Sequence, residues 1–476
     1  WMKSYVFYSL AMSKRFFKMG KNLKQQISLI EKLAYGFGDV GCGLIYVLSA
    51  TYITFFYTDA LGLNAAIIGS IIMFSKFADG ISDILAGFIV DRTRSKHGKA
   101  RAWVLRMTLP ICISLILTVT VPLGKGALTY AYVAITYNLV NTVCYTMMNV
   151  PYGTLNSLMT RDQGQRMVLN TFRMTMAQVA SMITNMLTIP FVNLVGGSGN
   201  QRSWIIVAAV YAVLALLMFL FCFKCTEERV SAMEETDSED KISFIDAFKL
   251  AIQNKYWVIL VFAALFLITG QTVSGTVATY YAKYILNNEN VVGVINALNF
   301  APALILIPCL PKITEKIGKR NISLLGGILG VAGQVLLFAN PESNTWIIMC
   351  SLIKGIGSVM IMGTVFAMIA DTIEYGEWKT GKRIEAILYS AASFGTKVGG
   401  GIGGAVALKI LGAAGYDGTA AVQTEAAMAA IKNIYLYVTL GIMIFIPILF
   451  AFYKLDKIYP TVISDLLKKE EKQGGK

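Results

Sequence analysis

Three ionisable residues, Lys76, Asp79 and Asp83, lie in one apolar stretch at spacings of three and four. In a helix these spacings place the three side chains on one face, about one turn apart. Two carboxylates held that close repel each other unless a bound cation or a lysine compensates them. Ser82 and, from another stretch, Thr146 add the neutral oxygens that hard cations accept as ligands. The pattern predicts a cation site. The alternative, a static Lys76–Asp79 ion pair, leaves Asp83 unexplained.

Three further cations, Arg173, Lys354 and Lys397, also lie deep in apolar stretches. An ionisable side chain in hydrocarbon costs at least about 2.5 kcal/mol by insertion scales, so each one needs a partner or a function. Lys397 is too far from either end of its stretch to reach the interface. We expect it to pair with the carboxylates of Asp79 and Asp83. For Arg173 and Lys354, structural pairing and substrate contact both stay open.

The amino-acid composition indicates the class of protein in which these charges lie. Of the 476 residues, 55% are hydrophobic and 15% are charged, and the mean hydropathy is +0.59. So few charges cannot cover a water-facing surface of this size, which indicates a membrane protein. One histidine and seven scattered cysteines leave little material for a His-ligated metal site or a disulfide framework. No nucleophile, metal set or cofactor motif supports an enzyme.

Apolar runs of about 18 residues or more indicate membrane-spanning helices, and about twelve are present. They lie near 31–58, 63–91, 101–122, 128–158, 166–195, 203–224, 256–285, 291–311, 321–340, 345–376, 384–412 and 431–454. The predicted fold is an all-α membrane protein with two six-helix halves, 31–225 and 255–456. Segment 1–30 precedes them and 457–476 follows as a tail. The middle loop, 226–254, includes a candidate amphipathic surface helix at 244–252.

Lysine and arginine are distributed unevenly between the loops. If the N-terminus is cytoplasmic, the inner loops hold nineteen of them and the outer loops at most four. The net charge of +14 is therefore a topology signal and not a nucleic-acid site. Both termini, 1–30 and 457–476, and the middle loop are predicted to be cytoplasmic. Basic loops with glycine turns follow helices two and eight, which is typical of a transporter built from two halves. We expect a multi-pass protein of the cell membrane that functions as a monomer.

Acidic and basic residues gather at the predicted inner ends of helices two and ten. Such groups can form ion pairs that close the inner ends of the two halves against each other. Ordinary interfacial charges are the alternative for any one of them. The candidates for this gate are Asp91, Arg92, Asp371, Glu374, Glu377 and Arg383.

Three weaker patterns have plain structural interpretations. The glycines from Gly399 to Gly404 lack the following Lys-Ser/Thr of a phosphate loop and lie in an apolar run, which predicts close helix packing. Cys222 and Cys225 stand without a second pair, so they do not predict zinc. Asp39 lies on the first helix and faces either a cavity or the inner interface.

Three blocks of sequence carry a family resemblance: 79–83 with 91–99, 149–152, and 371–377. In them the chain resembles the glycoside-pentoside-hexuronide cation symporters of the major facilitator superfamily, and the similarity runs from Lys32 to the twelfth helix. The resemblance implies the major facilitator fold and alternating access. It also implies uptake of a glycoside coupled to Na⁺, Li⁺ or H⁺, with no other cofactor.

The resemblance also assigns roles to individual residues. The family's cation site falls on Asp79 and Asp83, Thr146 matches a further ligand, and Ser82 stands where the best-known member has Asn. Lys397 matches a lysine near the cation, Arg173 an arginine that contacts sugar, and Tyr145 a tyrosine of the sugar pocket. With the other polar and aromatic candidates, the sugar-binding set is Arg173, Tyr145, Asn149, Lys397, Lys354, Tyr46 and Lys76.

Departures from the family pattern fall in the sugar pocket. Gly43 and Asn149 stand where the best-known member has acids, and Gly153 stands where it has tryptophan. Lys354 replaces an apolar residue. A pocket with fewer acids and one more lysine favours an anionic sugar through charge pairing, whereas the space expected at Gly43 and Gly153 suits a larger neutral glycoside or a pentoside oligomer. An H⁺-only sugar symporter, a lysolipid/cation symporter and a non-transporting membrane sensor are the alternative functions.

Overall fold

The computed structural model describes residues 27–122, 124, 126–160, 162–229, 251–381, 385–420 and 422–474. These residues form helices and loops and contain no β-strand. The N-terminal segment up to residue 26 and the candidate surface helix 244–252, except for its last two residues, lie outside the described part.

The first half consists of six long helices. Ser28 caps the first of them through a reciprocal hydrogen bond with Glu31, and Asn64 caps the second. Short π-helical segments interrupt the first helix at Val47–Tyr52 and Phe56–Ala60 and the fourth at Leu139–Cys144. The helices are α1 (Leu29–Ala60), α2 (Ala65–Asp91), α3 (Ala100–Val119), α4 (127–159), α5 (Gln163–Val195) and α6 (Gln201–Cys225).

The second half repeats this plan. Its eighth helix is broken between Ala297 and Ala301, and its tenth ends at Gly381, which adopts the left-handed backbone conformation that glycine accepts at a helix end. The helices are α7 (Lys255–Tyr284), α8 (Val291–Ala297 and Ala301–Ile317), α9 (Lys319–Leu336), α10 (Asn344–Thr380), α11 (Glu385–Ala413) and α12 (Glu425–Phe452).

Among the described residues, ten of these helices are long and apolar enough by themselves to cross a membrane. The other two, α4 and α11, pack within the same bundle and complete six helices in each half. Helix α12 begins at Glu425, six residues before its predicted start near 431. The predicted C-terminal tail is a further helix, α13 (Leu455–Gly474), which the analysis of apolar runs missed because it is polar.

The two ends of the bundle differ in how the halves meet. We call the end where α1 begins and α12 finishes the near end, and the opposite one the far end. At the far end a glycine of α8, Gly293, packs directly on α5, where an added Cβ would lie 2.7 Å from the Met186 carbonyl oxygen. Nearby, Asn193 donates to Asn290 at 3.1 Å and Ser198 to Glu289 at 2.7 Å. The far end is therefore held by direct contact between the halves.

Candidate functional site

A cavity of about 350 Å³ lies between the two halves. Its volume is within the range of small-molecule sites. Helices α1, α2 and α4 line it from the first half, and α7 and α11 from the second. The lining residues are Tyr46, Lys76, Asp79, Asp83, Asn141, Tyr145, Thr146, Asn149, Val150, Ile268, Thr272, Thr396, Lys397 and Gly400.

Side chains from α2 and α4 bring oxygen atoms together on one wall of this cavity. The Thr146 hydroxyl oxygen lies 3.3 Å from Asp79 Oδ1 and 3.2 Å from Asp83 Oδ1. Ser82 Oγ donates to the Asp79 carbonyl oxygen at 2.9 Å and lies 3.2 Å from Thr146 Oγ1. All four residues predicted from the sequence as cation ligands thus meet around one hydroxyl group. Oxygen atoms of carboxylates and hydroxyls are the donor set that a hard cation accepts.

Two lysines balance the two carboxylates. Lys397 of α11 forms an ion pair with Asp83 and lies 4.0 Å from Asp79 Oδ2, while Lys76 lies 3.8 Å from Asp79 Oδ2. The cluster is therefore neutral without a bound cation. The Asp79 side chain is 12% exposed and that of Asp83 is 35% exposed. The expected pairing of Lys397 with the acids of α2 is present, and it coexists with the Lys76–Asp79 pair. We call Lys76, Asp79, Asp83, Thr146 and Lys397 the cation cluster.

Local backbone features place these side chains. The π-helical segment Leu139–Cys144 ends immediately before Tyr145 and Thr146, and such segments frequently occur at functional sites. Helix α11 approaches α2 at Gly401, where an added Cβ would lie 2.8 Å from Lys76 Cβ. At Gly399 an added Cβ would lie 2.8 Å from the Leu265 carbonyl oxygen of α7. The prediction of close helix packing along this glycine run is confirmed.

Two aromatic rings lie beside the cation cluster. The ring centroids of Tyr46 and Tyr145 are 5.4 Å apart, and Lys76 Nζ lies 5.8 Å from the Tyr46 centroid. Asn149 adds an amide group to the same wall. An aromatic ring next to hydrogen-bonding groups can bind a sugar, because the ring packs against the apolar face of the sugar and the polar groups bond its hydroxyls. The structure thus brings the predicted sugar residues Tyr46, Tyr145, Asn149, Lys76 and Lys397 into one cavity.

Arg173 lies outside the cavity lining. Its Nε donates to Asp39 Oδ2 at 2.7 Å, and its Nη2 lies 3.3 Å from Asn149 Oδ1. The guanidinium carbon lies 4.8 Å from the centroid of the Tyr152 ring. In this structure Arg173 links α5 to α1 and α4. Its partner Asp39 had no definite role in the sequence analysis.

The space expected at two glycines is occupied. An added Cβ at Gly43 would lie 3.3 Å from Ala180 Cβ, and one at Gly153 would lie 3.5 Å from Arg173 Nη1. Neither glycine lines the cavity, so the expectation that they enlarge the sugar pocket is wrong. Gly43 packs against Ala180, and Gly153 lies at ordinary contact distance from the end of the Arg173 side chain. The deletion of a large side chain in a sequence leaves a cavity only where nothing else moves in.

Lys354 also lies outside the cavity lining, which corrects its assignment to the sugar-binding set. It is 5% exposed and lies inside the second half. Its ammonium donates to Ser274 Oγ at 3.2 Å and lies 5.3 Å from the centroid of the Tyr435 ring. The side chain points into the interface of α7, α10 and α12, away from the residues that a sugar would touch.

The predicted gate at the near end has different partners from those expected. Lys319 donates to both carboxylate oxygens of Asp371 at 2.7 Å, and Tyr459 donates to Glu374. All four residues belong to the second half, so the predicted gate residues Asp371 and Glu374 do not join the two halves in this conformation. Helix α13 supplies Tyr459, and the sequence analysis had missed that helix.

Among the remaining gate candidates, the described contact of Arg92 stays within the first half. The Arg92 guanidinium lies 3.9 Å from the ring centroid of Phe88, one turn earlier on the same helix. Glu377 lies one turn beyond Glu374 on α10. Arg383 and the side chain of Asp91 lie outside the described part of the chain.

A cluster that the sequence analysis missed joins the halves at the far end. The Asp59 side chain, in the last π-helical turn of α1, is only 1% exposed. Its carboxylate accepts hydrogen bonds from Lys283 at 2.6 Å and Tyr284 at 3.1 Å, both on α7. It also accepts bonds from Tyr416 at 2.7 Å and Thr58 at 2.9 Å. We call these five residues the Asp59 cluster.

The loop after α11 packs tightly onto this cluster. Burial raises the pKa of the Tyr416 hydroxyl, and the neighbouring Asp59 carboxylate raises it further, so Tyr416 keeps its proton and donates it. Gly418 lies so close to the end of α1 that an added Cβ would overlap the Thr58 carbonyl oxygen. An acidic residue directly after the first apolar run and a lysine near the end of the seventh were the available sequence signals.

Comparisons with known proteins agree over nearly the whole chain. The profile of the MFS/sugar transport protein family matches residues 34–457. The chain is 34% identical over 463 residues to YnaJ, an uncharacterized symporter of Bacillus subtilis. The alignment covers 95% of this chain and 97% of YnaJ. It is 32% identical over 454 residues to an isoprimeverose transporter of Lactiplantibacillus pentosus, with 94% of each chain covered.

A solved structure shows the same arrangement of helices. The crystal structure of the nucleoside transporter NupG covers 90% of this chain and 98% of its own, with a TM-score of 0.59 and 15% sequence identity. At that identity the likeness concerns the fold alone.

Proposed function

We propose, from the premise that this chain belongs to the MFS/sugar transport protein family, that it imports a glycoside together with Na⁺ by alternating access. Membership makes the chain a multi-pass membrane transporter of the major facilitator fold and not an enzyme. Li⁺ and H⁺ are the alternative coupling ions. The proposed location is the cell membrane, with both termini in the cytoplasm.

The single observation that carries the cation part of the proposal is the geometry of the cation cluster. Asp79 and Asp83 offer carboxylate oxygens on either side of the Thr146 hydroxyl. Asp83 is the more exposed of the two acids. Its partner is a lysine on a different half of the protein, and that lysine can leave with its helix. A cation that enters from the cavity therefore meets an acid whose present counter-charge is replaceable.

Coupling follows from competition between this lysine and the ion. When Na⁺ binds between Asp79 and Asp83, it neutralises their repulsion and releases the Lys397 ammonium. Lys397 and Lys76 then face the cavity as hydrogen-bond donors for sugar hydroxyls. A ligand changes a conformational equilibrium only through different affinities for its states. In this scheme the sugar binds well only after Na⁺ has freed its donors.

The conformation fits one step of this cycle. The distribution of lysine and arginine supports a cytoplasmic near end. The Asp59 cluster and the contact of α5 with α8 close the far end, whereas the Lys319–Asp371 pair stays within one half. We interpret this state as inward-facing. Only the empty and the doubly loaded carrier should pass to the outward-facing state.

The cavity favours a neutral glycoside. Arg173 is bound by Asp39, and Lys354 is buried away from the lining, so neither is placed to bind an acidic sugar. Similarity to an isoprimeverose transporter supports the same choice. Because one chain supplies the whole lining, we propose that the monomer is the functional unit.

The test is uptake by proteoliposomes. Radiolabelled isoprimeverose and a matched glucuronide are offered under an inward Na⁺ gradient, an inward H⁺ gradient, or neither. We expect accumulation of the neutral sugar under the Na⁺ gradient alone. Accumulation under the H⁺ gradient without a response to Na⁺ would select the proton alternative. Absence of flux for all sugars, with a lysolipid transported instead, would contradict the proposal.

A matched pair of variants tests the site itself. Asp83→Asn removes one carboxylate ligand and should reduce Na⁺-driven uptake to the level of empty liposomes. Glu342→Gln, whose parent side chain is 67% exposed and pairs with Lys432, is the control and should transport normally. Full Na⁺-driven accumulation by Asp83→Asn would show that the cation binds elsewhere.

A further inference from the structure

A chain of polar contacts joins α1, α5 and α4 beside the cavity. Arg173 of α5 donates through Nε to Asp39 Oδ2 at 2.7 Å and through Nη2 to Asn149 Oδ1 at 3.3 Å. Nη2 also lies 3.5 Å from Asp39 Oδ1. The Arg173 side chain is 18% exposed and that of Asp39 is 10% exposed. We call Asp39, Arg173 and Asn149 the Arg173 bridge.

The guanidinium fixes which way the Asn149 amide points. The oxygen and the nitrogen of an asparagine amide have nearly the same shape, so the hydrogen-bond partners decide between them. An arginine side chain has only donors, and the Asn149 atom that faces it is therefore the acceptor Oδ1. Asn149 Nδ2 makes no hydrogen bond among the described residues. Asn149 lines the cavity and Arg173 does not, so Nδ2 lies on the cavity side of the bridge.

Other contacts hold Arg173 in place. Its guanidinium carbon lies 4.8 Å from the centroid of the buried Tyr152 ring, and an added Cβ at Gly153 would lie 3.5 Å from Nη1. Turning Arg173 toward the cavity would leave the buried Asp39 carboxylate without its counter-charge, which is strongly unfavourable. In this conformation a ligand in the cavity therefore meets Asn149 and not the arginine.

The Nδ2 group gives the cavity a hydrogen-bond donor where a carboxylate would give only acceptors. The ammonium groups of Lys76 and Lys397 on the same wall are also donors only. Asp79 and Asp83 are engaged by these lysines or, in the proposed cycle, by Na⁺. The polar groups that remain for a sugar are mainly donors, which suit its hydroxyl and ring oxygens and do not suit a protonated amino group.

We propose that Arg173 is a positioning residue: held by Asp39, it keeps the Asn149 amide turned so that Nδ2 donates a hydrogen bond to an oxygen atom of the bound glycoside. This inference rests on the proposed function, because it needs a sugar in the cavity. Arg173 itself does not touch the sugar. The substrate presents an acceptor oxygen, either a hydroxyl or the ring oxygen, to Asn149.

Asn149→Asp tests the direction of this hydrogen bond. Aspartate has the shape of asparagine, but its carboxylate accepts and does not donate. We expect the KM of Na⁺-driven uptake into proteoliposomes to rise about tenfold, with Vmax and the Na⁺ dependence as in the parent. The sugar is isoprimeverose, or the matched glucuronide if the parent accumulates only that one. A KM equal to or below that of the parent would overturn the proposal.

A charge-balanced variant separates the lost donor from the added negative charge. When Asp39→Asn is combined with Asn149→Asp, Arg173 keeps one carboxylate partner and the net charge is that of the parent. The KM should stay about tenfold higher than in the parent, as in Asn149→Asp alone. A return to the parent KM would show that the charge, and not the donor, sets the affinity, which contradicts the proposal.

A second double variant, Asp39→Asn with Arg173→Met, tests positioning. It removes both charges together, so no buried charge is left unpaired, and it leaves the Asn149 amide free to turn. We expect the KM to rise about fivefold at the parent Vmax. If this variant does not fold, Arg173→Lys, which keeps the pair with Asp39 and has no second amino group for Asn149, should show the same rise. A merely structural pair would lower Vmax at an unchanged KM, and that result would overturn the proposal.

The positioning role and the proposed function fail in different ways. If the parent accumulates a glycoside and the variants keep its KM, only the positioning role is wrong. If the parent accumulates neither glycoside, the proposed function is wrong and the positioning role falls with it. Glu342→Gln is again the control and should keep the parent KM.

Discussion

Asp59 and Asp83 are both acids in membrane-spanning helices of the first half, and each pairs with a lysine of the second half. Their surroundings differ. The Asp59 side chain is 1% exposed and accepts four hydrogen bonds, whereas that of Asp83 is 35% exposed and contacts Lys397 and Thr146. The first carboxylate is saturated by fixed donors. The second faces a cavity from which another cation can reach it.

The difference in exposure suits the two acids to different tasks: one can stabilise a conformation, and the other can respond to a ligand. A saturated, buried ion pair is costly to break, because breaking it leaves an unpaired charge out of water. A partly exposed pair can exchange its partner at a lower cost, because the arriving ion replaces the departing one. We therefore propose that the Asp59 cluster keeps the far end closed and that the cation cluster serves coupling.

The largest expected effect is that of Asp59→Asn. The change removes the nearer carboxylate partner of Lys283 and leaves only Glu289, at 4.0 Å. We expect a cost of about 3 kcal/mol, which moves the equilibrium toward the far-open state about 100-fold. A Thr272→Cys probe in a Cys309→Ser background reports this through labelling by an impermeant maleimide from the far side. Asp83→Asn in the same background should label as slowly as the parent. Equal labelling of both variants would remove the distinction between the two acids.

Lys397→Gln addresses the exchangeable partner of Asp83. Without the competing ammonium, Asp79 and Asp83 keep an excess of negative charge, so Na⁺ should bind about tenfold more tightly, equivalent to about 1.4 kcal/mol. Calorimetric titration of the purified protein measures this. Lys432→Gln is the control for loss of a lysine. Weaker Na⁺ binding in Lys397→Gln would make this lysine a support for the site and not a competitor.

Tyr416→Phe removes one donor from the Asp59 cluster and leaves its ion pair intact. A hydrogen bond to a charged group contributes about 1.5 to 3 kcal/mol, so far-side labelling of the same cysteine probe should rise about tenfold. Because the pKa of Tyr416 is raised, the bond is fully present below the ordinary tyrosine value of about 10 and is lost only above the raised value. The thiolate is the form that reacts with maleimide, so the labelling rate is divided by that of the unfolded protein at each pH. This ratio should stay constant for the parent from about pH 7 to about pH 9. A steep rise within that interval would contradict the assignment.

The smallest expected effect is that of Thr146→Val, which keeps both acids and both lysines. Loss of the hydroxyl between the carboxylates should weaken Na⁺ binding about fivefold, equivalent to about 1 kcal/mol. Ser82→Ala is the comparison, since Ser82 donates to a carbonyl oxygen of its own helix, and it should change affinity less. If Ser82→Ala lost more Na⁺ affinity than Thr146→Val, Ser82 and not Thr146 would be the more important hydroxyl ligand.

The cation cluster was accessible from sequence because local periodicity defines it. Asp79 and Asp83 are one turn apart on one helix, so any helical structure places them together. The partners of Asp59 were not accessible in this way, because Lys283 and Tyr416 are separated from it by 224 and 357 residues. Arg173 and Asp39 are likewise 134 residues apart. The resemblance of Arg173 to a sugar-binding arginine did not indicate that Arg173 forms an ion pair with Asp39.

The sequence by itself determined the membrane-spanning helices, the two halves and the face that carries the proposed cation ligands, because hydropathy and helical spacing are local properties of the chain. Tertiary structure decided which charges meet. It placed Arg173 and Lys354 away from the cavity, filled the positions beside Gly43 and Gly153, and kept the pairs of Asp371 and Glu374 within one half. The physical reason is that a buried charge takes the partner that packing brings within reach, and packing joins residues that are distant in the sequence.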